Sequence, residues 1–241
     1  MQTPAQPICE RLNAVMTRIR DAERRYGRPS GSVTLLAASK TQPAERLLAA
    51  HACGQRLFGE NYAQEMTDKM AALTALDIEW HFIGPIQSNK TKFIAEADWA
   101  HGIERLKIAE RLDAQRNPDR PPLQVCVQVN VSGEASKSGV APVELPALAE
   151  AVAQLPRLRL RGVMAIPAPE TDFDAERRAF AAVRHAFEDL QRRGHALDTL
   201  SMGMSDDLEA AIAEGATMVR IGTAIFGPRN QPDAPQTRTK R

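Results

Sequence analysis

The sequence predicts an α/β fold, a (β/α)8 barrel with an extra helix ahead of it. Three observations carry that prediction. Eight short apolar runs alternate with segments of helical periodicity, which is the signature of βαβ units around a parallel sheet. The 241 residues match the size of eight such units. The turn after the first run, Ser39-Lys40-Thr41-Gln42-Pro43, has no GxGxxG pattern, which argues against an open dinucleotide-binding sheet.

The elements follow in order. Ile8, Leu12, Val15, Met16 and Ile19 form one helical face, which Gly27 and Pro29 stop. The first strand is VTLLAAS (33–39). Pro43 opens a helix carrying Leu47 and Leu48. RLFGE (56–60) is the second strand, with a helix over 63–76 behind it. WHFIG (80–84) is the third, and Ser88 is placed to cap a helix running to Ala97. WAHGI (99–103), short and poor in β-formers, is the fourth, before a helix with Leu106, Ala109 and Leu112. LQVCVQVN (123–130) is the fifth. A helix then starts near Pro146, because proline is tolerated in a first turn. LRLRGVMAI (158–166) precedes a long helix striped by Phe180, Val183, Phe187 and Leu190. TLSMG (199–203) leads into a short helix over 206–214, and MVRIGTAIFG (218–227) is the eighth strand. The expected organisation is an N-terminal helix over 1–30, a barrel over 31–228 and a disordered, Pro-rich tail over 229–241.

Composition narrows the function classes. The net charge is +1, with 25% charged and 43% hydrophobic residues. That balance gives no electrostatic case for nucleic-acid binding. No apolar run approaches the ~18–20 residues of a membrane span, and no targeting segment is visible at the N-terminus. The expectation is a soluble cytoplasmic protein. Cys9, Cys53 and Cys126 are far apart and form no CxxC pair, so reduced buried thiols are expected rather than a zinc site or a disulfide framework.

Active sites of barrels lie at the C-terminal ends of the strands. Strand one ends at Lys40. Only seven of the 31 basic residues are lysine, so a lysine here is less readily surface filler. Burial favours the neutral amine, the nucleophile that condenses with aldehydes. By position alone Lys40 reads equally well as a strand-end lysine reaching water. Ser205, Gly222 and Thr223 lie where the last two strands of barrels build phosphate sites. Asp206, Asp207 and Glu209 crowd that turn and equally suit an ordinary helix N-terminus. Arg220 shares a strand face with Gly222 and needs a polar partner, either a ligand or a carboxylate such as Glu60. Asn61 and His81 are candidate hydrogen-bonding groups, although His81 alone reads more readily as a satisfied structural histidine. Trp80 and Trp99 read as core.

At these residues the chain resembles the pyridoxal phosphate homeostasis proteins, single-domain binders of pyridoxal phosphate (PLP) with an alanine-racemase-like barrel. The matching segments are LLAASKTQP (35–43), FGENYAQE (58–65), EWHFIGPIQSNK (79–90), VNVSGEASKSG (129–139), RLRGVMAIPAPE (159–170), LSMGMSDDLEAAI (200–212) and VRIGTAIFG (219–227). The resemblance implies that Lys40 carries PLP as a Schiff base. It implies phosphate contacts from Ser205, Gly222 and Thr223, Arg220 near the pyridine nitrogen, and Asn61, His81 and Met204 lining the pocket. An arginine cannot accept the proton that makes the ring a strong electron sink. Alanine racemases share this arginine but take a tyrosine base from a second domain, and only a short tail follows strand eight here. The resemblance therefore implies a PLP carrier or buffer with at most weak catalysis. It further implies PLP and apo PLP-dependent enzymes as partners, a monomer, and neither nucleic-acid nor membrane partners. The alternatives are a PLP-dependent amino-acid racemase and a cofactor-free Schiff-base aldolase.

Overall fold

A computed structural model of the chain describes residues 6–133 and 138–227. Eight strands, β1 (Thr34–Ala38), β2 (Leu57–Glu60), β3 (Glu79–Phe82), β4 (Trp99–Ile103), β5 (Leu123–Gln128), β6 (Leu158–Met164), β7 (Thr199–Ser201) and β8 (Met218–Ile221), form the sheet. Around them run α1 (Gln6–Arg25), α2 (Ala44–Ala52), α3 (Ala63–Ala72), α4 (Thr91–Ile94), α5 (Leu106–Gln115), α6 (Leu145–Ala153), α7 (Phe173–Arg192), α8 (Leu208–Ala213) and α9 (Thr223–Phe226). The strands pair in parallel in sequence order, and β8 pairs back onto β1 to close the barrel. All eight expected strands are present, including the poor β-former β4, whose five residues are all buried.

Helix α1 buries Ile8, Leu12, Val15 and Ile19. That face lies against α2, α8 and α9, beside the seam between the last strand and the first. The long α7 starts at Asp172, whose side chain accepts the Ala175 N–H and so satisfies one orphan donor of the first turn.

Four local expectations are corrected. The last strand stops at Ile221 and the chain turns into α9 at Thr223. A Cβ on Gly222 would stand 3.0 Å from the Ala38 carbonyl oxygen, so a glycine lets the turn close against β1. After β3, α4 is a single turn entered from Lys90, and Ser88 does not cap it. Helix α8 begins at Leu208, after Asp207, two residues later than expected. Cys9 and Cys53 are joined in a disulfide, with Cα atoms 5.4 Å apart, while Cys126 is free and buried. The packing of α1 on α2 brings together two cysteines 44 residues apart, which spacing along the chain does not reveal. The expected tail over 229–241 lies outside the described residues.

Candidate functional site

At the C-terminal mouth of the barrel a cavity of about 500 Å3 is lined by Lys40, Asn61, Met204, Ser205, Arg220 and Thr223 among others. Its size is within the range of small-molecule sites. Gly222 also lines it, so seven of the eight expected site residues converge on one opening.

Lys40 sits on a strained and heavily tied turn. Thr41 next to it has φ 64, the one positive φ at a non-glycine residue among the described residues. Such a conformation persists only where its surroundings hold it. Here Thr41 N–H donates to Glu65 Oε1 at 2.7 Å, and Gln42 N–H donates to the Ser39 carbonyl at 3.0 Å. Lys69 on α3 donates to that same carbonyl at 2.9 Å, and to Glu60 Oε1 and Glu65 Oε1 at 2.7 Å each. Ser39 Oγ donates to Glu60 Oε1 at 2.6 Å. A second, buried lysine thus clamps both sides of Lys40, holding Ser39 directly and through Glu60, and Thr41 through Glu65. Burial lifts the Glu60 carboxyl to about 7, against the pull of the Lys69 ammonium and the Lys69 and Ser39 hydrogen bonds.

Arg220 is 5% exposed and does not pair with Glu60. Its Nη1 donates to Ser201 Oγ at 2.8 Å and its Nη2 to the Ala165 carbonyl at 3.0 Å. Burial lowers its pKa to about 10. Asn61 Oδ1 is buried with no hydrogen-bond partner, an acceptor that a ligand donor would satisfy. On the opposite wall the acidic crowding is relieved. Glu209 is paired with Arg18 at 2.9 Å, and Asp207 Oδ1 accepts the Met204 N–H. Arg18 also donates to the Ser205 carbonyl at 3.2 Å and reaches the cavity wall, so the N-terminal helix brings a cation to the expected phosphate side.

His81 does not line the cavity. It is fully buried within the barrel, with Nδ1 2.9 Å from His101 Nε2 and Nε2 2.9 Å from Glu79 Oε1. Trp99 stacks on it at 5.3 Å, and both tryptophans are buried as core. The reading from the residues, a satisfied histidine, describes it better than a place in the pocket lining.

The sequence reading missed Lys69, Glu65, Arg18, His101 and Ser201. Glu65 and Lys69 are spaced i, i+4 on a helix, a pattern normally met on solvated faces. Only the 6% exposure of Lys69 distinguishes them. The lysine count was the one available signal, since Lys69 is another of the seven.

The arrangement offers a lysine amine on a rigid turn, an inward guanidinium and an orphaned acceptor around one cavity. These groups suit an anionic ligand bearing an aldehyde. The family model described as alanine racemase, N-terminal domain, matches residues 11–230. A pyridoxal phosphate homeostasis protein of Pseudomonas aeruginosa is 61% identical over 224 residues, covering 92% of this chain and 96% of its own. The structure of PipY from Synechococcus elongatus with PLP bound superposes with a TM-score of 0.78 at 38% identity, over 91% of this chain and all of that one. Alanine racemase from Corynebacterium glutamicum shares the fold at 19% identity and TM-score 0.65, over 92% of this chain and 63% of that one.

Proposed function

The chain belongs to the pyridoxal phosphate homeostasis protein family, and from that membership we propose that it holds PLP at the barrel mouth as a Schiff base on Lys40, acting as a cytoplasmic, monomeric carrier or buffer of the cofactor. The observation that carries this reading is the clamped Lys40 turn sharing one cavity with Arg220, Gly222 and Thr223.

Each residue has a task. The Lys40 amine adds to the aldehyde carbon and water leaves as the C=N bond forms, a step that hydrolysis reverses. Glu60, Glu65 and Lys69 keep the Lys40 backbone in place. Gly222 admits a phosphate close to the chain, Thr223 and Ser205 bring hydroxyls, and Arg18 adds charge. Asn61 offers its unpaired acceptor to the ligand. Bound PLP supplies an electron-withdrawing ring, and Arg220 beside the pyridine nitrogen holds that nitrogen unprotonated, since a guanidinium is already a full cation there. Stabilisation of a carbanion is then weak, which favours storage over turnover. Apo PLP-dependent enzymes are the proposed recipients.

The test is the visible absorption of the protein after addition of PLP. The parent should show the long-wavelength band of a protonated Schiff base, and Lys40→Ala should lose it while keeping some noncovalent PLP through the other contacts. An unchanged band in Lys40→Ala removes the lysine from the proposal. Rapid racemisation or decarboxylation of amino acids by the loaded protein overturns the carrier role. A parent that binds no PLP but cleaves phosphorylated aldols by way of Lys40 favours the aldolase.

A further inference from the structure

A line of buried polar side chains runs through the barrel from its mouth to its base. Arg220 Nη1 donates to Ser201 Oγ at 2.8 Å. Ser201 Oγ is 3.0 Å from His101 Nδ1. His101 Nε2 is 2.9 Å from His81 Nδ1, and His81 Nε2 is 2.9 Å from Glu79 Oε1. Ser201, His101 and His81 are all 0% exposed. Glu79 opens β3, so its carboxylate lies at the end of the barrel opposite the cavity, where its side chain is 44% exposed.

The two ends dictate the direction of every bond between them. A guanidinium only donates and a carboxylate only accepts. His81 must therefore carry its proton on Nε2 to reach Glu79, which leaves Nδ1 as an acceptor. His101 must then donate from Nε2, which leaves its own Nδ1 as an acceptor. That nitrogen takes the Ser201 hydroxyl proton, and the Ser201 oxygen is left to accept from Arg220. Two neutral imidazoles in the same tautomer satisfy the whole line, and burial keeps both of them neutral.

We infer that Glu79 is a positioning residue for Arg220, acting across the barrel through His81, His101 and Ser201. The inference rests on the reading that Arg220 faces the PLP ring. Without the Glu79 acceptor only the Arg220 end still favours this tautomer, and the reversed one becomes accessible. When they reverse, His101 Nδ1–H points at Ser201 Oγ, and that oxygen faces two donors where it had one. Arg220 then loses part of the bond that orients its guanidinium toward the cavity, while its bond to the Ala165 carbonyl remains. Glu79→Gln keeps an acceptor in place. Glu79→Leu removes it, and Ser201→Ala cuts the line next to the arginine.

Two readouts test this, and the first needs no cofactor. Long-range proton–nitrogen spectra of the histidine-labelled protein without PLP, assigned with His81→Asn and His101→Asn, should show both imidazoles as neutral Nε2–H tautomers at pH 7. The same tautomers should appear in Glu79→Gln, and a mixture in Glu79→Leu. The second readout is PLP affinity. The dissociation constant should rise about three- to tenfold in Glu79→Leu and in Ser201→Ala, the range expected for one hydrogen bond, and return to the parental value in Glu79→Gln. Thermal unfolding checks that each variant is folded, and Ser201→Ala decides if Glu79→Leu is not. Nδ1–H tautomers in the parent, or unchanged PLP affinity in both disrupting variants, overturn the inference. Failure of the parent to form a reducible adduct on Lys40 would fault the cofactor reading instead, and the tautomer spectra would still decide the direction of the line.

Discussion

The two sides of the barrel mouth are built from different chemistry. On the β1–β2 side, charge does the holding. Lys69, Glu60 and Glu65 tie down the strained turn that carries Lys40 through a buried ion-pair cluster. On the β7–β8 side, hydrogen bonds to neutral groups hold the Arg220 cation. Among the described residues Arg220 has no carboxylate partner, and it is oriented by a hydroxyl and a carbonyl. The difference teaches how one opening serves two tasks. On the proposed reading, Lys40 as a covalent anchor needs its backbone held, and Arg220 facing a ring nitrogen keeps its charge, oriented without being neutralised.

Lys69→Met should have the largest effect, because it strands two carboxylates at the clamp. Removing one partner of a buried pair costs about 3–5 kcal/mol. Urea unfolding measures the loss, and slower reaction of Lys40 with PLP would separate clamping from bulk stability. Stability and Lys40 reactivity at parental values would show that the clamp is incidental. Arg220→Gln comes next. With the charge-assisted contacts gone, PLP affinity should fall on the order of tenfold or more in equilibrium dialysis, and the absorption of the bound cofactor should shift as the ring environment changes. Parental values of both would move Arg220 away from the ring.

The charged side should also be the pH-dependent side. Burial raises the Glu60 pKa to about 7 from an ordinary 4.5, so the folded protein binds more protons than the unfolded chain between those values. That proton uptake stabilises the fold at low pH, and the contribution is lost as pH rises from about 4.5 through 7. Melting temperatures from pH 5 to 8 should fall less steeply in Glu60→Gln than in the parent. An identical slope would contradict the buried-carboxyl account. Arg18→Ala should be the mildest change. Its pair with Glu209 is about 40% exposed on each side, and such pairs contribute roughly 0–1 kcal/mol. PLP affinity should drop by a factor of about two, and an effect as large as that of Arg220→Gln would make Arg18 a principal phosphate ligand.

The barrel itself was legible because its signals are local. Alternating apolar runs and helical stripes mark each unit, and even the weak WAHGI segment was placed by the rhythm of its neighbours. Lys40, Asn61, Ser205 and Thr223 lie just past strand ends and Arg220 lies within the last strand, so all five were legible as residues near the barrel mouth, where a barrel puts its chemistry. What escaped depends on contacts between distant segments. The eighth strand was drawn through to Gly227 because GTAIFG is apolar, and the approach of Gly222 to Ala38 that turns it cannot be seen from one strand. The Cys9–Cys53 bond and the reach of Arg18 both follow from how α1 docks. His101 and Ser201 lie on β4 and β7, strands of five and three residues, too short for alternation to tell interior from exterior. Their place in the line from Arg220 to Glu79 depends on contacts between β3, β4, β7 and β8.

The central claim is that Lys40 carries the cofactor. Borohydride reduction of the PLP-loaded protein, followed by peptide mass mapping, tests it most directly. The account predicts one pyridoxyl group, on the peptide containing Lys40, with Lys69 unmodified. No reduced adduct, or an adduct spread over other lysines while Lys40 stays free, would contradict it.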